Sequence, residues 1–368
     1  MSTDTPPPSR VGRAPGLGLM DPWGGPEYKA LLGACAELLR GLYQTENDVF
    51  IFPASGAGAL EAAVVNTLSP GDVVLAVTVG VWGDRWARLA ESFGLDVRRL
   101  ALPRGRAVEV EQLRQALDED SDAVAVLLPY DDTSTGVTNP LAELAPLVAE
   151  RELLLLVDAG TSSGAIPLRA DELGLDVVVG NSDEAWGMPA GLAMISISER
   201  AWAAMERARL PRYYWDLKSA RSALQKGPIR FSVAPSALAQ LRTALERIHS
   251  EGLPQVWRRH EEAGRRTRHA LRELGAPVLA ADERRASPTL TALKPPEGAD
   301  AALLRARLMG EHGVLVLDGM AEMAGRVLRI PHLGTEAERE AHRAVEALRA
   351  VLSGGELAGA RTRVEPEV

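Results

Sequence analysis

A mainly parallel α/β sheet followed by a smaller α+β unit is the fold class this sequence predicts, and three observations predict it. Apolar runs rich in Val and Leu alternate with helical stretches from residue 49 to 157, as strands covered on both faces do. From 235 to 275 the pattern changes to long amphipathic helices, charged on one side and interrupted at Gly252 and Pro254. Beyond them, short strands and helices alternate again over a smaller span.

In order, residues 26–43 put Tyr28, Leu31, Leu32, Cys35, Leu38, Leu39 and Leu42 on one helical face. A strand, Val49 to Phe52, leads through SGAGALEAA into a helix, then a turn at Ser69-Pro70-Gly71-Asp72 and a strand through Val77. Helices near 83–93, 108–118 and 139–151 separate strands at Val97–Leu100, 123–128 and Leu153–Val157. Val177–Val179 and Leu192–Ile197 flank a polar loop containing Gly and Pro, which reads as buried strand, exposed loop, buried strand. The final unit reads as strand Thr289–Leu293, helix 300–311, strands Val314–Leu317 and Val327–Ile330, and helix 335–352. The expected organisation is a disordered start at 1–15, a large domain at 16–250, a small domain at 251–352 and a loose tail at 353–368.

Composition excludes several function classes. With 368 residues, 46% apolar, the chain can bury one large core and a second, smaller one. A net charge of −9 without a basic cluster makes nucleic acid and anionic membrane poor partners. Cys35 is the only cysteine, so no intrachain disulfide forms, and its apolar helical setting marks it as a packed thiol. The Pro-rich N-terminus has no hydrophobic targeting core and no spanning run follows, so the expected compartment is cytoplasmic. Four lysines, Lys29, Lys218, Lys226 and Lys294, stand against 37 arginines.

The segments PEYKALL, QTEND, SGAGALEAAVVN, SPGD, GVWGDRW, TSTG, LLLVDA, YYWDL, EGLPQVWRRH, SPTLTA and RVLRI follow one another within residues 23–352. In order and spacing they resemble the class V pyridoxal-phosphate aminotransferases of the alanine–glyoxylate and serine–pyruvate group. The resemblance implies a fold-type I architecture, with a mainly parallel seven-stranded sheet in the large domain and a smaller α+β C-terminal domain. It also implies a homodimer with shared active sites and a small carboxylate-bearing metabolite as ligand.

Residue by residue, Gly56, Ala57, Gly58 and Ala59 match the phosphate loop, where helix N-terminal N–H groups receive an anion. Trp82 matches the aromatic that stacks on the pyridine ring, Thr133 the hydroxyl near its O3′, and Asp158 the carboxylate that pairs with its nitrogen. Arg329 matches the arginine that grips a substrate carboxylate, and Ser232, with Arg230 beside it, lies where the family reaches the neighbouring subunit's phosphate. Taken singly, each has a plainer reading: Trp82 as core filling, Asp158 as a cap, Arg329 as an ion-pair partner, the Gly-rich turn as only a turn.

The departures fall on the loop between Val179 and Leu192. The family's Gln aligns with Asp183 and its cofactor-binding lysine with Glu184, a carboxylate that cannot form an imine. Ala57 replaces a hydroxyl residue, and Gly24-Gly25 replace the family's His-Arg pair. Four readings follow. In the first, an enzyme holds pyridoxal or pyridoxamine phosphate non-covalently, with Glu184 and Asp183 as acid/base. In the second, the same pocket works without a cofactor, and like charges on Asp183 and Glu184 raise one pKa toward neutrality. The third is a non-catalytic dimeric relative, and the fourth a conventional transaminase, which requires the lysine to align elsewhere.

Overall fold

The computed structural model describes residues 25–182, 184–226, 229 and 231–354, with the side chain of Glu184 outside the described atoms. The expected disordered start and almost all of the expected loose tail lie outside these residues. The chain begins with α1 (Pro26–Tyr43), β1 (Asp48–Pro53), α2 (Gly56–Thr67), β2 (Val73–Thr78), α3 (Val81–Ser92), β3 (Asp96–Ala101), α4 (Val110–Glu119) and β4 (Ala125–Pro129). A small hairpin, β5 (Asp131–Asp132) and β6 (Val137–Thr138), precedes α5 (Leu141–Ala149), β7 (Leu154–Asp158), β8 (Val177–Asn181) and β9 (Leu192–Ile197). Then come α6 (Glu199–Met205), α7 (Leu217–Lys226), α8 (Pro235–Glu251) and α9 (Leu253–Glu273). The last elements are β10 (Leu290–Leu293), α10 (Ala301–His312), β11 (Leu317–Asp318), β12 (Leu328–Pro331) and α11 (Ala337–Ser353).

Seven strands form one sheet in the order β1-β9-β8-β7-β4-β2-β3, with β9 antiparallel to both neighbours. β4, β7, β8 and β9 are buried along almost their whole length, which is why they read as continuous apolar runs. One face packs against α1, α4, α5 and α8, the other against α2, α3 and α6. α1 shows how the pattern becomes structure: Tyr28, Leu31, Leu32, Cys35, Leu39 and Leu42 are buried, Pro26 opens the helix, and Gln44 ends it in the left-handed region. Cys35 Sγ donates to Leu238 O at 3.4 Å, and burial pushes its thiol up to about 12. Among the described residues no helix is long and apolar enough to cross a membrane.

The C-terminal unit is a three-stranded antiparallel sheet, β10-β12-β11, with its own core against α9, α10 and α11. The strand expected at Val314–Leu317 is instead the two-residue β11. Val314 and Val316 are buried in the small core, so their apolarity comes from packing after the left-handed Gly313 cap of α10.

The segment between β8 and β9 is fastened at both ends. Ser182 N donates to Leu192 O, Ser182 Oγ to Pro189 O at 3.0 Å, and Leu192 N to Ser182 Oγ at 3.1 Å. Trp186 is fully buried, donates from Nε1 to Ser163 O at 2.7 Å, and its carbonyl accepts from Arg247 Nη2 at 2.6 Å. The turn Glu184–Trp186 therefore hangs on a core side chain. Trp186→Ala should lower the unfolding free energy by about 3–5 kcal/mol in urea denaturation; a loss below about 1 kcal/mol would show that the loop is not anchored in this way.

Candidate active site

Ligands of open α/β sheets sit beyond the carboxyl ends of the strands, and the chain gathers its polar side chains there. Ser55, Gly56 and Ala57 follow β1, Trp82 follows β2, Asp131 and Thr133 follow β4, Asp158 ends β7, and Asn181 ends β8. Together they enclose a cavity of ≈ 440 Å³, completed by Arg85, Gly160, Thr161, Ser182 and Gly191.

Close approach sets the backbone beside the cavity at two places. Gly80, just before Trp82, leaves room for the buried carboxylate of Asp132, which a Cβ there would overlap. Gly56 lies against Asn181, whose Oδ1 would be 2.9 Å from an added Cβ. α2 begins at Gly56 with no side chain capping it, and Gly58 N already donates to Ser55 O, so the N–H groups of Gly56 and Ala57 are the ones left at the cavity's Ser55–Ala57 end without intrahelical acceptors.

Trp82 Nε1 donates to Thr133 Oγ1 at 2.9 Å, and the Arg85 guanidinium stacks over the indole, 4.9 Å from its centre. Asp158 accepts one hydrogen bond, from Gly160 N at 3.0 Å, and has no cationic partner among the described residues. Burial, with Asp132 and Asp131 nearby, raises its pKa to about 6. Asp131 is raised to about 6 by burial and by Asp132, although Thr138, Ser287 and Thr289 all donate to it. Asp132 is raised too, chiefly by burial, against donation from Ser134, Trp82 and Thr135.

The expected site residues divide. Gly56, Ala57, Trp82, Thr133 and Asp158 line this cavity. Gly58 and Ala59 depart from the expectation: Gly58 N donates to Ser55 O and its Cα faces Trp215, while Ala59 is fully buried against the sheet, because the helix turns that face inward. Arg329 stands behind Thr133, donating from Nε to Asp318 O at 2.6 Å and from Nη1 to Thr133 O at 3.1 Å; Nη2 has no partner among the described residues. Ser232 is not in the cavity of its own chain; its neighbours Phe231 and Val233 line a separate apolar groove beside α1. Asp183 and Arg230 lie outside the described residues, and Glu184 is described through its backbone alone.

None of the four lysines, all described, lines the cavity. Lys218 pairs with Glu206 at 2.8 Å; Lys29 is on α1, Lys226 ends α7 and Lys294 follows β10. Sequence reasoning missed Asp131, Asn181 and Arg85. The signal for Asp131 and Asn181 was their place just past the apolar runs of β4 and β8.

A buried carboxylate with a raised pKa binds its proton more tightly folded than unfolded. Its contribution to stability is complete below about pH 4 and disappears as pH rises through about 6. Asp158→Asn should therefore raise the melting temperature at pH 7.5, by a gain on the order of 1–3 kcal/mol, and leave it unchanged near pH 4. A lower melting temperature at pH 7.5 would contradict this.

The chain is similar to known proteins over most of its length. The family profile described as Aminotransferase class-V matches residues 26–329. A Synechococcus protein named soluble hydrogenase, small subunit, is 36% identical over 89% of this chain and 85% of its own length. Among solved structures, alanine–glyoxylate aminotransferase from Nostoc superposes with a TM-score of 0.84 at 32% identity, over 89% of this chain and 88% of that one. Pyridoxamine–pyruvate aminotransferase from Mesorhizobium loti superposes with a TM-score of 0.86 at 29% identity, over 92% and 87%.

Proposed function

The chain belongs to the class V aminotransferase family, and on that premise we propose that it is an enzyme that holds pyridoxal or pyridoxamine phosphate without a covalent bond. It acts on an amino acid, a 2-oxo acid or a related small carboxylate, with Glu184, assisted by Asp183, as acid/base. The observation that carries this reading is a cavity with ring-facing groups and no lysine on its walls.

The ring end suits the cofactor. Among the described residues Asp158 has a single donor, Gly160, and no cation, a setting that suits a protonated pyridine nitrogen as its partner. Thr133 Oγ1 accepts from Trp82, which leaves its own O–H free to donate toward the ring oxygen. The first turn of α2 faces the phosphate. When bound, the cofactor supplies an electron sink for the substrate carbon. Nη2 of Arg329 is the donor left for a carboxylate, and Glu184 moves the proton that a lysine amine moves in relatives. A positioned base is worth about 10²–10⁴-fold, so losing the amine lowers ordinary transamination steeply. In the proposed homodimer, Ser232 reaches the neighbouring phosphate, and Arg230 beside it is a further substrate-binding residue.

One observation favours a second reading, a cofactor-independent enzyme in the same pocket. Arg85 is the one cation among the described lining residues, against Asp131 and Asp158, a balance unfavourable to a dianionic phosphate.

Thermal unfolding with and without pyridoxamine 5′-phosphate separates the two. The first reading expects a ligand-dependent rise in melting temperature and a cofactor that dialyses away; no rise with either the pyridoxal or the pyridoxamine form would reject it. Glu184→Gln should abolish turnover while leaving the melting temperature within about 2 °C. Glu184→Lys alone should not give fast transamination, because Asp183 and Ala57 still disfavour the phosphate; rapid turnover in that variant would show the phosphate end to be sound.

A further inference from the structure

We infer that Asp131 is a positioning residue that sets the Arg329 guanidinium against Thr133 of the cavity wall by tying the C-terminal sheet to that wall.

Asp131 lines the cavity, yet every donor on its carboxylate is a hydroxyl. Thr138 Oγ1, from the same hairpin, donates to Oδ1 at 2.6 Å. Ser287 Oγ and Thr289 Oγ1, from the strand leading into the C-terminal sheet, donate to Oδ2 at 3.0 and 2.6 Å. Ser287 and Thr289 are fully buried and 2.9 Å apart through their hydroxyls. Three hydroxyls on one buried carboxylate hold it in the charged form against the cost of burial.

From Thr289 the connection runs directly to the arginine. Thr289 precedes β10, and Ala292 of β10 pairs with Arg329 of β12. Arg329 Nη1 then donates to Thr133 O, and Thr133 lies two residues from Asp131, which pairs with Thr138 across the hairpin. The circuit closes: Asp131, Thr289, β10, β12, Arg329, Thr133. Two further links hold the seam without Asp131. Ser287 N donates to Gly136 O at 2.9 Å, and Ala286 bridges Val137. Gly136, at φ +69°, has Ala292 N 3.0 Å from the place of a Cβ. Those backbone links keep the two units together, so the carboxylate determines the angle at which β10 leaves the seam. Arg329 sits at the far end of that lever.

The inference rests on the reading of Arg329 as the carboxylate donor, but its structural half does not. Thr289→Val and Asp131→Asn are compared with the parent protein by amide hydrogen exchange and by binding of sodium glyoxylate and of pyridoxamine 5′-phosphate. Both variants are expected to speed exchange in 286–293 and in 326–331 and to leave 56–67 and 154–158 unchanged. Thr289→Val, which does not line the cavity, is expected to weaken glyoxylate about tenfold and pyridoxamine 5′-phosphate less than twofold. Thr289→Ser should restore both values, and the double variant should be no worse than its weaker parent.

Exchange confined to 286–293, additive losses in the double variant, or equal losses for the two ligands would overturn the inference. If Asp131→Asn fails to fold, Thr289→Val and its serine rescue decide it. Parent protein that binds neither ligand rejects the functional reading alone, since the exchange arm still decides the positioning link.

Discussion

Carboxylates withdrawn from water without a counter-ion set the terms of this site. Asp131, Asp132 and Asp158 meet at the carboxyl ends of β4 and β7, and all three are raised, with burial as the largest cause. A cluster of that kind opposes folding near neutral pH unless donors or a cationic ligand offset it. The chain supplies hydroxyls and backbone N–H groups to Asp131 and Asp132 and leaves Asp158 with one. The least satisfied of the three, Asp158, lines the cavity together with Asp131.

That asymmetry links fold to function. Asp131 is held by its own hairpin and by the segment entering the C-terminal sheet, and it lines the cavity wall, whereas Asp132 is held within the hairpin. Asp158 is held by a strand end and one glycine N–H, so it is available to a ligand. Arg329 makes no hydrogen bond to the three acids: its bonds go to two carbonyls, of Asp318 and Thr133, and its charge acts on Asp132 only at a distance. It acts as a strut between two sheets, with one nitrogen to spare.

The parallel strands were legible because burial on both faces turns them into apolar runs, and the helical face of α1 was legible residue by residue. The antiparallel direction of β9 was not, since LAMISI has the same pattern as its parallel neighbours and only pairing sets direction. Nor was α7, whose one buried side chain is Leu217. In the site, motif order picked out Gly56, Ala57, Trp82, Thr133 and Asp158, which share one cavity. It also picked out Ala59, whose side chain is buried against the sheet because a helix turns successive residues about 100° apart. Asp131 was illegible as a partner of Thr289 because 158 positions separate them and a lone carboxylate after a strand carries no sign of what will donate to it.

The proposed function depends on Glu184 standing where the resemblance to class V aminotransferases puts a cofactor-binding lysine. Borohydride reduction of the purified protein with pyridoxal 5′-phosphate, followed by peptide mass mapping, tests this most directly. The account predicts no stoichiometric pyridoxyl adduct on Lys29, Lys218, Lys226 or Lys294. A near-stoichiometric adduct on any one of them would contradict it.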